Sequence, residues 1–183
     1  MYNIELSRNQ VQWIDAVLLP ALQQKKIKYT NVRTNSGAGK TQCFGYGCRR
    51  GRTDDFFKAN VQNVELYSLL LLLGSEIVPS HIKFTCIQVN HNYESKPHMD
   101  KKNVGESLTF SLGNFTGGEL VVDGIPNQTK LLPLVFDAST HEHYNLPIQG
   151  NRYSITFFVN KLSTSNPFST DDIHKNMMES IYI

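Results

Sequence analysis

A chain of 183 residues can bury one sizeable core and is short for two. With 40% apolar and 19% charged residues, its composition excludes a disordered, fibrous or low-complexity protein. The formal net charge of +2 is unevenly spread: residues 21–60 hold Lys25, Lys26, Lys28, Arg33, Lys40, Arg49, Arg50, Arg52 and Lys58 against Asp54 and Asp55 alone. Such a window marks either an anionic partner, nucleic acid included, or a solvated loop face. Cys43, Cys48 and Cys86 have no zinc-like spacing and are odd in number, which argues against a disulfide framework and fits a reducing compartment. The opening MYNIELSRNQ lacks a signal-peptide pattern. The longest apolar run, Leu69 to Leu73, falls far below the roughly 20 residues that cross a bilayer. A soluble cytoplasmic or nuclear protein with no membrane partner is expected.

In chain order, residues 8–23 are predicted helical. Ser7 is a suitable N-cap, Val11, Ile14, Val17 and Leu18 recur at helical spacing, and Pro20 is set to kink or end the run. Residues 31–55, rich in Gly, Ser, Thr, Asn and Arg, predict a long loop or irregular strands. Their NSGAGKT segment is no phosphate-binding loop, because that motif requires glycine where Thr34 stands. It reads instead as a flexible loop, suited to a lid. A second helix is predicted from Val61 to Leu73, closed by Gly74 as a cap. From Ile82 onward the segments KFTCIQVN, ESLTFSL, ELVVD, LPLVFD and RYSITFFVN are short, β-prone and separated by turn residues. Strands in series after two helices suggest a barrel or sandwich braced by helices on one side. The polar C-terminal stretch allows a short helix after Ser169.

Three residues carry the chemistry. His98 and Asp100 form an H-x-D pair, and side chains two apart in extended chain point to one face. His143 follows just before a turn. Two imidazoles and one carboxylate leave half of a metal's positions open, the ligand set of Fe(II) enzymes that bind a chelating co-substrate and oxygen. A structural zinc site would want four protein ligands. Beyond the turn, Arg152 and Ser154 alternate onto one face of RYSITFFVN. A guanidinium fork with a hydroxyl beside it suits a carboxylate. 2-Oxoglutarate, which chelates iron at one end and carries a carboxylate at the other, satisfies both halves.

H-x-D, then H-x-x-x-P-x-x-G-x-R-x-S on an aromatic strand, resembles the Fe(II)/2-oxoglutarate dioxygenases over residues 84–159. The resemblance implies a mainly β fold with flanking helices: a double-stranded β-helix (jelly roll) core braced by the N-terminal helices. It implies His98, Asp100 and His143 as iron ligands and Arg152 and Ser154 as holders of the distal carboxylate of 2-oxoglutarate. Asn90 and Tyr93, just upstream on the strand that lines the pocket in relatives, are further candidates for binding 2-oxoglutarate. Fe(II), 2-oxoglutarate and O2 are the implied cofactors and co-substrates, with ascorbate in support. Residues 1–183 would form a single oxygenase domain, with 1–80 as helical and loop support including a lid, 81–160 as the core and 161–183 as a C-terminal tail. The stretch VNHNYESKPHMDKKNVGESLTFSLGNFTGGELVV further resembles small viral, algal and protist members related to the TET and JBP oxygenases. That implies hydroxylation of a C–H bond on a nucleobase of DNA or RNA, with Asn103, Arg33 and Arg49 as candidate substrate contacts.

Alternatives remain at this level. The substrate could instead be a prolyl or other peptide side chain or a small molecule, and the fold could be a non-catalytic cupin-like binding module. Asn103 is also a good turn former, and the arginines also serve solubility. His91 and His141 are read as non-ligands that support the site.

Overall fold

The computed structural model describes residues 1–24, 37–48, 54–162 and 165–182. Its frame is a seven-stranded antiparallel sheet, in spatial order β1 (Tyr2–Asn3), β8 (Leu134–Phe136), β5 (Asn103–Gly117), β10 (Ile148–Asn160), β4 (Cys86–Ser95), β2 (Gly37–Cys48) and β3 (Asp54–Phe56). A second antiparallel sheet holds β7 (Ile125–Asn127), β6 (Leu120–Val122) and β9 (His143–Asn145). Leu120 and Val122 of β6 pack with Leu134 and Phe136 of β8 and with Ala138, which joins the two sheets.

Period-two alternation divides the central strands. Ile87 and Val89 of β4, Leu108, Phe110 and Leu112 of β5, and Ile155 and Phe157 of β10 enter the main core with the helices. The alternate positions carry polar groups that pair across strands: Asn90 faces Ser154, Ser154 faces Ser111, and Thr156 faces Thr109. The polar face is thereby directed away from the helical core. Chemistry has to lie there.

Residues 8–24 form a continuous helical run, α1 (Arg8–Trp13), a π-helical stretch (Ile14–Leu18) and α2 (Leu19–Gln24). Ser7 caps it with a reciprocal Ser7–Gln10 capping box. Pro20 does not end the helix. Its ring would crowd the Ala16 carbonyl in regular α geometry, and the widened turn, with the Leu19 N–H donating to the Ile14 carbonyl, absorbs that conflict.

The second predicted helix is divided into α3 (Lys58–Gln62) and α4 (Val64–Ile77). Gly74 is an interior residue of α4 and not its cap: a Cβ there would lie 2.7 Å from the Phe84 ring and 2.9 Å from that of Phe157. The glycine lets the helix approach the sheet. The helix ends at Val78, whose extended backbone suits the residue before Pro79.

Of the two expectations for residues 31–55, a long loop or irregular strands, the second holds at 37–48, where β2 pairs with β4 and carries buried Phe44 and Tyr46. Its glycines serve irregular pairing. Gly39, at φ +128, sits at the register shift, where a Cβ would strike the Asn92 carbonyl. The lid reading of NSGAGKT is overturned from Gly37 onward, because those residues are held in the sheet. Arg33, Arg49, Arg50 and Arg52 lie outside the described residues. After Ser169, α5 (Thr170–Glu179) begins on a Ser169–Asp172 capping box and buries Ile173 and Met177 in the main core. Among the described residues, no helix is long and apolar enough to cross a membrane.

Candidate metal centre

His98 and His143 meet as a backbone bridge: the His98 N–H donates to the His143 carbonyl at 3.2 Å, and the His143 N–H to the His98 carbonyl at 2.9 Å. The Asp100 N–H donates to the Ala138 carbonyl at 2.8 Å. The H-x-D segment is thus laid along the free side of β9 and fixed by main-chain bonds, not only by its side chains. The donor atoms of His98, Asp100 and His143 all lie within 4.8 Å of one another. His98 Nε2 is 3.7 Å from Asp100 Oδ1, and His143 Nε2 is 3.8 Å from Asp100 Oδ2.

The other ring nitrogens decide the tautomers. His98 Nδ1 is 2.6 Å from the Lys96 carbonyl, and His143 Nδ1 is 3.0 Å from the His141 carbonyl. A carbonyl only accepts, so each Nδ1 carries the proton and donates it. Each Nε2 then presents its lone pair on the side of Asp100, the arrangement a metal needs. Burial pushes the His143 imidazole below its ordinary pKa, which favours the neutral, ligating form. The Phe136 ring packs edge-on against His143, with centroids 5.3 Å apart. The Asp100 side chain keeps 39% of its surface exposed, so the cluster is open on one side.

Arg152 is 3% exposed, and its Nε has no hydrogen-bond partner among the described residues. Burial lowers its pKa to about 10, with Glu119 opposing the shift. A buried guanidinium lacking a partner is costly, and an anionic ligand would relieve that cost. The group lies over the Phe115 ring at 5.6 Å. Its strand is pinned by the Arg152 N–H, which donates to Asn92 Oδ1 at 2.7 Å. Ser154 is on the same face, and its Oγ accepts from Asn90 Nδ2 at 3.2 Å. Ser154 and Asn90 thus form a polar pair across β10 and β4, two positions along β10 from Arg152.

Other sequence candidates fall differently. Tyr93 is half-buried on β4. Asn103 is turned to the cluster: its Nδ2 donates to Asp100 Oδ2 at 3.4 Å, so it supports the carboxylate in this state. His91 stacks on Tyr153 at 4.5 Å, and His141 pairs with Asp123, so neither is among the three clustered donors. Sequence reasoning missed Phe115 and Asp123, and it marked Asn92 only as a neighbour of the pocket strand, not as the residue that holds the Arg152 N–H. Their roles come from a positive φ at Asn92, a ring beneath a cation and a turn carboxylate, none of which leaves a spacing pattern.

No protein-family model matches the chain, and no curated protein matches it. Solved structures do. NgTET1 in complex with 5mC DNA aligns with a TM-score of 0.63 at 15% identity, over 97% of this chain and 78% of that one. A Pseudomonas putida prolyl-4-hydroxylase aligns at 0.54 and 15% identity, over 87% of this chain and 91% of that one. A 2OG-Fe(II) oxygenase family oxidoreductase from Burkholderia pseudomallei aligns at 0.51 and 14% identity, over 85% and 93%. The chain has the double-stranded β-helix fold of 2-oxoglutarate–Fe(II) oxygenases.

Proposed function

We propose that this protein is an Fe(II)- and 2-oxoglutarate-dependent dioxygenase that hydroxylates a C–H bond. His98, Asp100 and His143 hold the iron, and Arg152 with Ser154 and Asn90 binds the distal carboxylate of 2-oxoglutarate. One observation carries the reading: two imidazoles with their Nε2 lone pairs set toward one carboxylate, together with a buried guanidinium whose Nε lacks a partner. Three donors suit a metal that must keep positions open, and a closed structural site would want a fourth. A non-catalytic cupin-like module would have no use for the buried cation.

Held by these residues, Fe(II) with 2-oxoglutarate and O2 would supply the oxidant that puts one oxygen atom on the substrate carbon, with succinate and CO2 as co-products. The chain's own groups do the positioning. The Lys96 and His141 carbonyls hold the two rings, Asn103 restrains Asp100, and Asn90 orients the Ser154 hydroxyl toward its ligand role. Tyr93, on the same strand as Asn90, is the further residue proposed for the co-substrate side.

The substrate is a nucleobase of DNA or RNA. Lys96, Lys101 and Lys102 are exposed on the segment that carries His98 and Asp100, and the Lys161 N–H donates to the Lys102 carbonyl at 2.7 Å. Cations around a site entrance suit a phosphodiester backbone, and Arg33 and Arg49 of the basic 21–60 window are the further proposed substrate contacts. A base held in a duplex would have to be flipped out to reach the metal. The test is succinate formation with Fe(II) and 2-oxoglutarate, offered oligonucleotides, peptides or small molecules, with product mass read for one added oxygen. Oxygenation of peptide alone would replace the substrate assignment. Absence of 2-oxoglutarate turnover under every condition would remove the enzyme reading.

A further inference from the structure

An ion pair next to the metal cluster has no part in the reading above. Asp123 and Gly124 join β6 to β7 with φ of +48 and +81, the backbone of a tight hairpin turn. The Asp123 carboxylate reaches outward from this turn to the segment before β9. Its Oδ1 accepts the Glu142 N–H at 3.0 Å, and its Oδ2 lies 2.5 Å from His141 Nδ1. The Asp123 N–H returns a bond to the Glu142 carbonyl at 2.9 Å. Both residues immediately before His143 are therefore clamped to one aspartate. The His141 carbonyl is the group that holds the His143 Nδ1–H.

We infer that Asp123 is a positioning residue for the third metal ligand: acting through His141 and Glu142, it fixes the carbonyl that holds the His143 imidazole with Nε2 toward Asp100. This rests on the metal-centre reading. The His141–Asp123 pair is 42% and 51% exposed, and pairs so exposed contribute little to stability. Its consequence lies in ring orientation. A turn-forming role alone would be served equally by asparagine, which tolerates the same backbone and retains an oxygen for the Glu142 N–H. The positioning role needs the carboxylate to grip the His141 ring.

Co(II) binding separates the two, followed by visible absorption of the titrated metal-free protein. Loss of a group that orients a ligand imidazole weakens metal binding about tenfold or more. D123A is expected to show that loss. D123N and H141F, which keep the turn, should each show at least a roughly threefold weakening and an altered Co(II) spectrum, with the metal-free melting temperature unchanged. Wild-type affinity and spectrum in D123N and H141F would overturn the inference, whatever D123A does. Failure of the wild-type protein to bind Co(II) would instead overturn the metal centre itself.

Discussion

Gly118 lies directly against the side chain of Arg152: a Cβ on Gly118 would stand 3.0 Å from Arg152 Cδ and 3.1 Å from its Nε. The glycine also holds φ +71, a conformation that other residues enter only with strain. The space it leaves decides where the guanidinium can lie.

Gly118→Ala should therefore weaken 2-oxoglutarate by shifting the anchor without removing it. Arg152→Ala should cost about 1.5–3 kcal/mol, a tenfold or larger rise in the dissociation constant. Gly118→Ala should fall between that variant and wild type. Calorimetric titration of 2-oxoglutarate into Mn(II)-loaded protein reads both. Unchanged affinity in Arg152→Ala would move the carboxylate site elsewhere.

Metal binding should depend on His98 and Asp100 more than the fold does. Their backbone N–H groups, bonded to the His143 and Ala138 carbonyls, keep the segment in place when the side chains are cut back. His98→Ala and Asp100→Ala are expected to lose the melting-temperature rise that added Mn(II) gives the wild type. A ligand at 100 times its dissociation constant stabilises by about 2.7 kcal/mol, so the rise should amount to several degrees. A variant that still responds to metal would show that its side chain is not a ligand.

Much of the site is legible in the sequence because strand alternation and main-chain spacing carry it. H-x-D and R-x-S put pairs of side chains on one face without any knowledge of the partner strands. Of the β-strands from Cys86 to Asn160, β4, β5, β6, β8 and β10 are legible as β-prone segments, whereas β7 and β9, three residues each beside turns, do not stand out. What could not be read is where a glycine means contact and not a turn. Gly74 looks like a helix cap until Phe84 and Phe157 are placed beside it, and the glycines of β2 look like loop until their pairing with β4 is known. Asn103 is a related case: its spacing marks it as close to the site, but its hydrogen bond to Asp100 depends on the turn between them.

Acid should destabilise the metal-free protein through His143. Burial lowers the folded-state pKa of this imidazole below its ordinary value, so the unfolded chain binds the proton more readily. Stability from this group is fully present above the unfolded value, about 6.5, and is lost as the pH falls below it toward the folded-state value. Urea midpoints measured in the presence of a chelator, from about pH 7.5 downward, should fall more steeply for wild type than for His143→Gln. Parallel curves would place the imidazole in a more polar setting than its burial implies.

Gly74→Ala tests whether the helix–sheet approach, and not helix propensity, governs this position. In an isolated helix the change would add about 1 kcal/mol of stability, since alanine is the better helix former. Here the added methyl meets the rings of Phe84 and Phe157, which also stack edge-to-face on each other at 5.0 Å. Neither ring is free to retreat, because Phe84 is 1% exposed and Phe157 is fully buried. Overpacking of this kind costs typically 1–3 kcal/mol, so the net change should be destabilising. Phe157 is on β10, the strand that carries Arg152 and Ser154 on its opposite face. A forced shift of α4 should therefore lower 2-oxoglutarate affinity as well as the denaturation midpoint, whereas Gly74→Ala in combination with Phe84→Leu should recover both. A stabilised single variant would mean that α4 is not held against the sheet at this distance.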